Sequence, residues 1–502
     1  MKKQILAMLL AVLMFSVVGC TNTESGNEST DQTADTTTVV EETAPSISPA
    51  EVDALPNDCR DYEGTEFVVM FRDRTEDSET WKTWDVYTEE LNGERINDAV
   101  FERNLAILER FGVQVAEMQV RDRLNTAKNL ILSGDSGFDL FQDIIENQGQ
   151  LVIQGYVLNM SDMDYIDFSK AWWDSTVIEG ISIGDNVYYS VGDSQLNAMK
   201  ATWVVLFNKT LTANVGITDL YETVKENKWT LELLNQYSQQ TMQDANGDGE
   251  MVWEDDVFGL GLQHEVVLPL LLGGGEKLID IKEDGSYVYN MSNANVVDSM
   301  EKVHAFMNSG DHILNCQLAR RNAEGSDDWE GFRGLFMSDQ MCFYMAALTQ
   351  VSLVGGDMQS DFGILPFPKL SAEQDGYYST FQYNNADAIS VPKTCNDTKR
   401  VGMLTEAYEM FAHTTIKPAY YDYTLTMRNA RDTDSGEMLD IIFAARNFDI
   451  SLAFNSSSNV KSFLQDNVIS STFQYASNEI SNRSKVEQAI GDILEAVTGL
   501  EE

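Results

Sequence analysis

The chain has 502 residues, with 34 Lys and Arg against 80 Asp and Glu, for a formal charge of −46. Residues 1–60 hold three basic and nine acidic residues, so the remainder carries −40. So acidic a body excludes nucleic acid and an anionic membrane surface as partners, and reads as a solvated surface. In chain order the first element is an export signal. Lys2 and Lys3 precede an apolar run from Ile5 to Val18, broken only by Ser16, and Val17-Val18-Gly19 lead into Cys20. A basic start, a short apolar stretch and small residues before a cleavage point predict a signal peptide over 1–19. The run falls short of the roughly 20 residues that span a bilayer, which disfavours an uncleaved anchor helix.

Residues 20–58 are rich in Thr, Ser, Asn, Glu and Asp, with Pro45, Pro49 and Pro56 near the end. Such a segment buries too little apolar surface to offset its ordering entropy, and is expected to be a disordered tether. The body that follows is long enough for two domains or one two-lobed unit. Phe67-Val68-Val69-Met70-Phe71 predicts a buried strand, Ile96 to Phe111 a helix, Val113-Gln114-Val115 a strand, Leu124 to Leu132 a helix ending at Gly134, and Phe138 to Phe141 a strand. Short strands alternating with helices predict an α/β fold with largely parallel sheets flanked by helices.

The start of the chain resembles a bacterial lipobox, which implies that Cys20 is lipidated and anchors the protein to the outer face of the cell membrane; two acyl chains anchor stably where one does not. The body resembles family 1 of the extracellular solute-binding proteins of ABC transporters, the family of the maltose-binding protein. The resemblance rests on ordered motifs: Gly155 to Met160, Ala171-Trp172-Trp173-Asp174, Val187 to Asp193, Phe207-Asn208-Lys209, Trp229-Thr230, Trp329-Glu330-Gly331-Phe332, Gly363 to Pro368 and Asn385 to Ser390. Arg431 to Ser435 is similar to an element of the clostridial branch, and the last fifty residues match little. The resemblance implies a type II periplasmic-binding-protein-like fold: first lobe 59–200, second lobe 201–327, a return to the first over 328–381, and second lobe with C-terminal helices over 382–502. It also implies a binding protein without catalysis that passes a solute, most simply a sugar, to ABC permease subunits.

Sugars present polar edges and apolar C–H faces, so their sites pair flat aromatic rings with amides and carboxylates. Trp81, Trp84, Trp329 and Tyr383 are the candidate rings, and Asp193, Asn384 and Arg431 the candidate hydrogen-bonding groups. Trp172 and Trp173 divide evenly between cleft and packing, and Trp203 belongs to the core. Asp244, Asn246, Asp248, Glu250 and Asp255 follow the D-x-N-x-D-G calcium-loop spacing, with Gly249 at the sharp turn and Asp255 where an EF-hand carries Glu. A structural Ca2+ is expected there, with an Asx-type turn as the plain alternative. Cys59, Cys316, Cys342 and Cys395 lack metal-ligand spacing and are expected as buried or free thiols; His264, His304, His312 and His413 are scattered. A surface glycosidase is the rival function; it needs two opposed carboxylates. Tyr420-Tyr421 is similar to the tyrosine pair of iron-binding relatives, although with Tyr423 beside it a packed helix is the simpler reading.

Overall fold

The structure is a computed structural model that describes residue 55 and residues 62–75, 80–135, 137–282, 286–317, 329–426 and 433–501. The chain divides after Thr43, and every described residue belongs to the unit Ala44–Glu502. The signal peptide, Cys20, the tether apart from Leu55, Cys59, Arg431 and the side chain of Trp329 lie outside the described residues.

Eleven strands are described: β1 (Glu66–Arg72), β2 (Gln114–Val120), β3 (Leu140–Ile144), β4 (Trp203–Asn208), β5 (Phe258–Leu262), β6 (Ile279–Ile281), β7 (Tyr287–Tyr289), β8 (Ile313–Asn315), β9 (Met341–Ala347), β10 (Phe362–Leu365) and β11 (Asp387–Ser390). The first sheet has the order β11-β3-β1-β2, and the second β10-β4-β9-β5-β8. In each sheet one strand opposes the rest: β11 runs antiparallel to β3, and β4 antiparallel to β9 and β10. β6 and β7 form a small hairpin. All six residues of β4 and all seven of β9 are buried, the pattern of strands covered on both faces.

The helices that build the site are α1 (Arg95–Phe111), α2 (Arg123–Leu132), α3 (Ile145–Ile153), α4 (Leu196–Lys200), α5 (Thr349–Val354), α6 (Thr398–Thr414), α7 (Ile416–Thr426), α8 (Thr433–Ala444) and α9 (Tyr475–Glu501). α1 starts where the Glu94 carboxylate accepts the backbone N–H of Ile96 and Asn97 at 3.2 and 2.7 Å. It stops at Gly112, whose φ of 67° suits glycine and where a Cβ would lie 2.8 Å from Glu63.

Three chain segments lie side by side between the lobes. Trp203 N–H bonds Thr380 O at 2.9 Å, Gln382 N–H bonds Ala201 O at 2.9 Å, and Ser379 N–H bonds Ala445 O at 2.8 Å. Segments 201–203, 379–382 and 445–447 are therefore the hinge. The return to the first lobe expected over 328–381 falls elsewhere. That span supplies β9 and β10 to the second sheet, and the return is made by β11. The apolar residues of β9 fit only the middle of a sheet, and the vacancy they fill is between β4 and β5.

α6 and α7 pack on α1 in the first lobe, and α8 packs on β10 in the second. Beyond the hinge, α9 touches both α3 and the helix Ala294–Met307. The apolar interior is continuous across the hinge, joining Met70 and Phe141 to Trp203, Leu260 and Phe343. Among the described residues no helix is long and apolar enough to cross a membrane. Cys316, Cys342 and Cys395 are free thiols, the first two buried.

Candidate functional site

In open α/β sheets ligands gather beyond the carboxyl ends of parallel strands. Here the loop that leaves β1 folds over that edge, and buried polar groups fasten it. Asp85, fully buried, accepts Gln142 Nε2 at 3.1 Å and the Leu196 N–H at 3.2 Å. Beside it the Arg123 guanidinium meets Asp143 at 2.6 Å and Asp387 at 3.3 Å. Asn197 Nδ2 donates to Asp387 at 2.9 Å and to the Trp81 carbonyl at 3.3 Å. Burial, and then the nearby Asp387, push the Asp85 carboxyl above its usual range. Burial does the same at Asp143, against the pull of Arg123. The network ties the loop, β3, β11 and α4 into one rigid edge.

Above this edge lies a cavity of about 670 Å³ between the lobes. The first lobe contributes Lys82, Trp84, Asn92 and Asn97; the second contributes Leu348 and Val351 at and within α5; α4 adds Leu196 and Lys200, and α7 adds Tyr420, Tyr423 and Thr424. Trp84 is 49% exposed, and the Arg74 guanidinium lies 4.1 Å from its ring centroid. A second cavity, of about 390 Å³, holds Asp174, Asp193, Lys417, Tyr421, Asp440 and Arg446. Lys417 and Tyr421, one turn apart on α7, line this smaller cavity, while Tyr420, Tyr423 and Thr424 line the larger one. A single helix thus serves both cavities.

The sequence-predicted residues separate accordingly. Trp84 lines the larger cavity. Trp81 is half-buried against the core, with Lys200 Nζ 6.0 Å from its ring. Asp193 lines the smaller cavity, held by His413 Nδ1 at 2.5 Å and Lys417 Nζ at 3.0 Å. Tyr383 is not a cleft residue: it is buried, 5.1 Å from Phe448 between ring centroids, with its hydroxyl 3.2 Å from Thr380 Oγ1. Asn384 is exposed and lines neither cavity. Trp172 and Trp173 are both buried, and both indole N–H groups donate to Glu406, at 3.1 and 3.0 Å; Trp172 packs in the core, while Trp173 also borders the smaller cavity. Sequence reasoning missed the division of labour on α7. The signal was present in the i, i+4 pair Lys417 and Tyr421 beside Tyr420 and Tyr423.

Two buried acids stand near the hinge on α6. Glu406 receives the two indoles. Glu409 accepts the N–H and Oγ of Ser194 at 2.8 and 2.6 Å and Gln195 Nε2 at 2.9 Å. Burial pushes each up to about 7, while these donors pull it back. Both carboxylates are committed to structural donors.

The acidic loop after Thr241 closes differently from its sequence pattern. Asp244 accepts the N–H of Gly247 and Gly249 at 2.7 and 2.8 Å. Asn246 accepts Asp248 N–H, and Asp248 accepts Glu250 N–H, at 2.9 and 2.8 Å. The closing carboxylate is Asp256, fully buried, which accepts Ala245 N–H at 2.9 Å and Val252 N–H at 2.7 Å; Asp255 is exposed. Among the described residues no three His, Cys, Asp or Glu side chains are grouped as metal ligands. The oxygens of Asp244, Asn246 and Asp248 stay on one tight turn, which suits a cation only if a ligand from the far side joins them.

Two α/β lobes joined by three hinge segments, with a cavity between them, define a type II periplasmic-binding-protein fold. Solved structures share it. The chain is similar to UspC of M. tuberculosis, with a TM-score of 0.54 and 13% identity over 84% of this chain and 100% of that one. It is similar to the ABC substrate-binding protein Lmo0181 from Listeria monocytogenes in complex with cycloalternan, with a TM-score of 0.52 and 14% identity over 85% of this chain and 99% of that one. It is also similar to the maltose-binding periplasmic protein MalE from Listeria monocytogenes in complex with maltose, with a TM-score of 0.51 and 13% identity over 87% of this chain and 98% of that one. No protein-family model and no curated protein matches the chain.

Proposed function

We propose that this chain is the substrate-binding lipoprotein of an ABC importer, of family 1 and its clostridial branch, and that it captures a sugar or oligosaccharide between its lobes without transforming it. The observation that carries this reading is the inter-lobe cavity of about 670 Å³, where the exposed ring of Trp84 and the half-buried ring of Tyr423 stand with the side chains of Asn92 and Asn97. Flat rings cover C–H faces and amides meet hydroxyls. A ligand touching both lobes stabilises the closed arrangement, which a permease then recognises.

Calorimetric and thermal-shift screening against mono- and oligosaccharides is the test, with recovery of the sugar unchanged as the control for catalysis. A panel with no sugar response but a clear peptide or metal response overturns the assignment. Lipidation at Cys20 predicts that Cys20→Ala releases the protein from the membrane fraction. Calcium in the 244–255 loop predicts that a chelator lowers the melting temperature and that added Ca2+ restores it; an unchanged melting temperature leaves an Asx-type turn.

A further inference from the structure

The chain carries 80 acidic and 34 basic residues, yet the inter-lobe cavity reverses that balance. Among the described residues two lysines line it, Lys82 and Lys200, against one acid, Glu94. Glu94 is occupied: its carboxylate accepts two N–H groups in the first turn of α1, at the positive end of that helix. Lys200 is held in place. It ends α4, whose other four residues are buried, and its Nζ donates to the Lys82 carbonyl at 3.2 Å. The acids beneath the cavity have cations of their own. Asp143 and Asp387 meet Arg123, and Arg72 Nη2 lies 4.0 Å from Asp387, while burial favours the neutral form of Asp85. The two lysines are therefore not required to balance that layer.

We infer that the sugar taken between the lobes carries a negative charge, as a uronic acid or a sugar sulfate or phosphate, and that Lys82 and Lys200 meet that group. This rests on the sugar reading above and narrows it to one chemical class. A hydrogen bond from an ammonium to an anion is roughly twice as strong as a neutral one. The second lobe's share of the wall is largely apolar, with Leu348, Val351 and Leu353, and an ion contact gains strength where water is excluded. A neutral sugar leaves the two cations to lose water on closure without an anion from the ligand in exchange. The formal charge of −46 does not forbid an anionic ligand. Surface charges are screened beyond about 8 Å at physiological salt, whereas the lysines act in contact.

The test is calorimetry on the purified full-length protein in detergent. Glucose, galactose and mannose are compared with the uronic acid, the 6-sulfate and the 6-phosphate of each, and di- and trisaccharides with their uronic acid counterparts. Inorganic sulfate and phosphate are the controls for the anion alone. At least one charged sugar is expected to bind about tenfold or more tightly than its neutral parent, by a margin that shrinks as salt rises. The separate arms tell carboxylate from sulfate from phosphate. Replacing both lysines, Lys82→Gln with Lys200→Gln, is expected to erase the margin, and Lys200→Arg, which keeps the charge, to retain most of it. Neutral parents that bind as tightly as every charged form, a hit confined to neutral sugars, or a margin that survives the loss of both lysines overturns the inference and leaves sugar binding intact. An inorganic anion that binds as tightly as the sugar bearing it overturns it too. Silence with every compound, together with no hit in the wider sugar screen, overturns both readings.

Discussion

Two pairs of tryptophans behave in opposite ways. Trp81 and Trp84 lie on a loop, as do Trp172 and Trp173, and both pairs are flanked by polar residues. Trp84 keeps its ring half in solvent beside a cavity, while Trp172 and Trp173 are 3% and 4% exposed. The difference is made by a residue far along the chain. Glu406, 233 positions beyond Trp173, brings one carboxylate to both indole N–H groups. An indole is buried cheaply only where its N–H finds an acceptor. Around Trp84 the charged partner is Arg74, which meets the face of the ring rather than the N–H, and the indole stays 49% exposed.

The sharpest way to break this comparison is Glu406→Ala. It strands two buried donors, each costing about 1–3 kcal/mol, so a loss of about 2–6 kcal/mol is expected in chemical denaturation. Glu406→Gln keeps an acceptor and is expected to be milder. A Glu406→Ala variant as stable as the parent would mean that the two pairs do not differ in kind. The second test is pH. Glu406 and Glu409 are pushed up to about 7, so the folded state retains protons that the unfolded chain has released above about 4.3. Stability is then greatest below that window and is lost as pH rises through 7, by on the order of 3 kcal/mol for each group. Burial moves Asp85, Asp143 and Asp449 in the same direction. The melting temperature is expected to be higher at pH 5 than at pH 8, and the Glu406→Gln, Glu409→Gln double variant is expected to flatten the profile.

The fold was legible in the sequence because its strands are short and apolar and alternate with helices. β1 and β3 fall within three residues of the runs at 67–71 and 138–141, and β2 starts within one residue of the run at 113–115 but extends five residues further, to Val120. Which sheet a strand joins was less legible. Met341 to Ala347 is apolar throughout, and a strand covered on both faces carries no alternation to say which lobe covers it. The site was half legible. Trp84 stands out as an aromatic after the first strand. Tyr383 sits just as plausibly in a crossover, but Phe448 arrives from the third hinge segment and takes its ring into the core. Contacts of that kind depend on how the three segments lie together, which no local pattern encodes.

The acidic loop gives a smaller effect that sharpens the same contrast between committed and exposed groups. Asp256→Ala removes the acceptor for two backbone N–H groups and is expected to cost about 1–3 kcal/mol, whereas Asp255→Ala leaves stability unchanged. Equal losses would move the closing role back to Asp255.

The smallest expected effect is on the stability of Trp84→Ala. Its ring is half exposed, and its principal packing partner, the Arg74 guanidinium, keeps Glu117 and the Thr83 carbonyl when the indole is removed. What is lost is a stacked cation at a partly wet site, about 0.5–1 kcal/mol. Trp173→Ala, by contrast, empties a buried site and leaves one arm of Glu406 without its indole donor, at about 3–5 kcal/mol. Denaturant titration of the two variants side by side measures the difference directly. If Trp84→Ala unfolds as readily as Trp173→Ala, the exposed ring is serving the fold, and the proposed sugar site loses its candidate platform. If Trp84→Ala stays near the parent, the rigid seat beneath the ring has little structural purpose, and recognition is what remains to account for it.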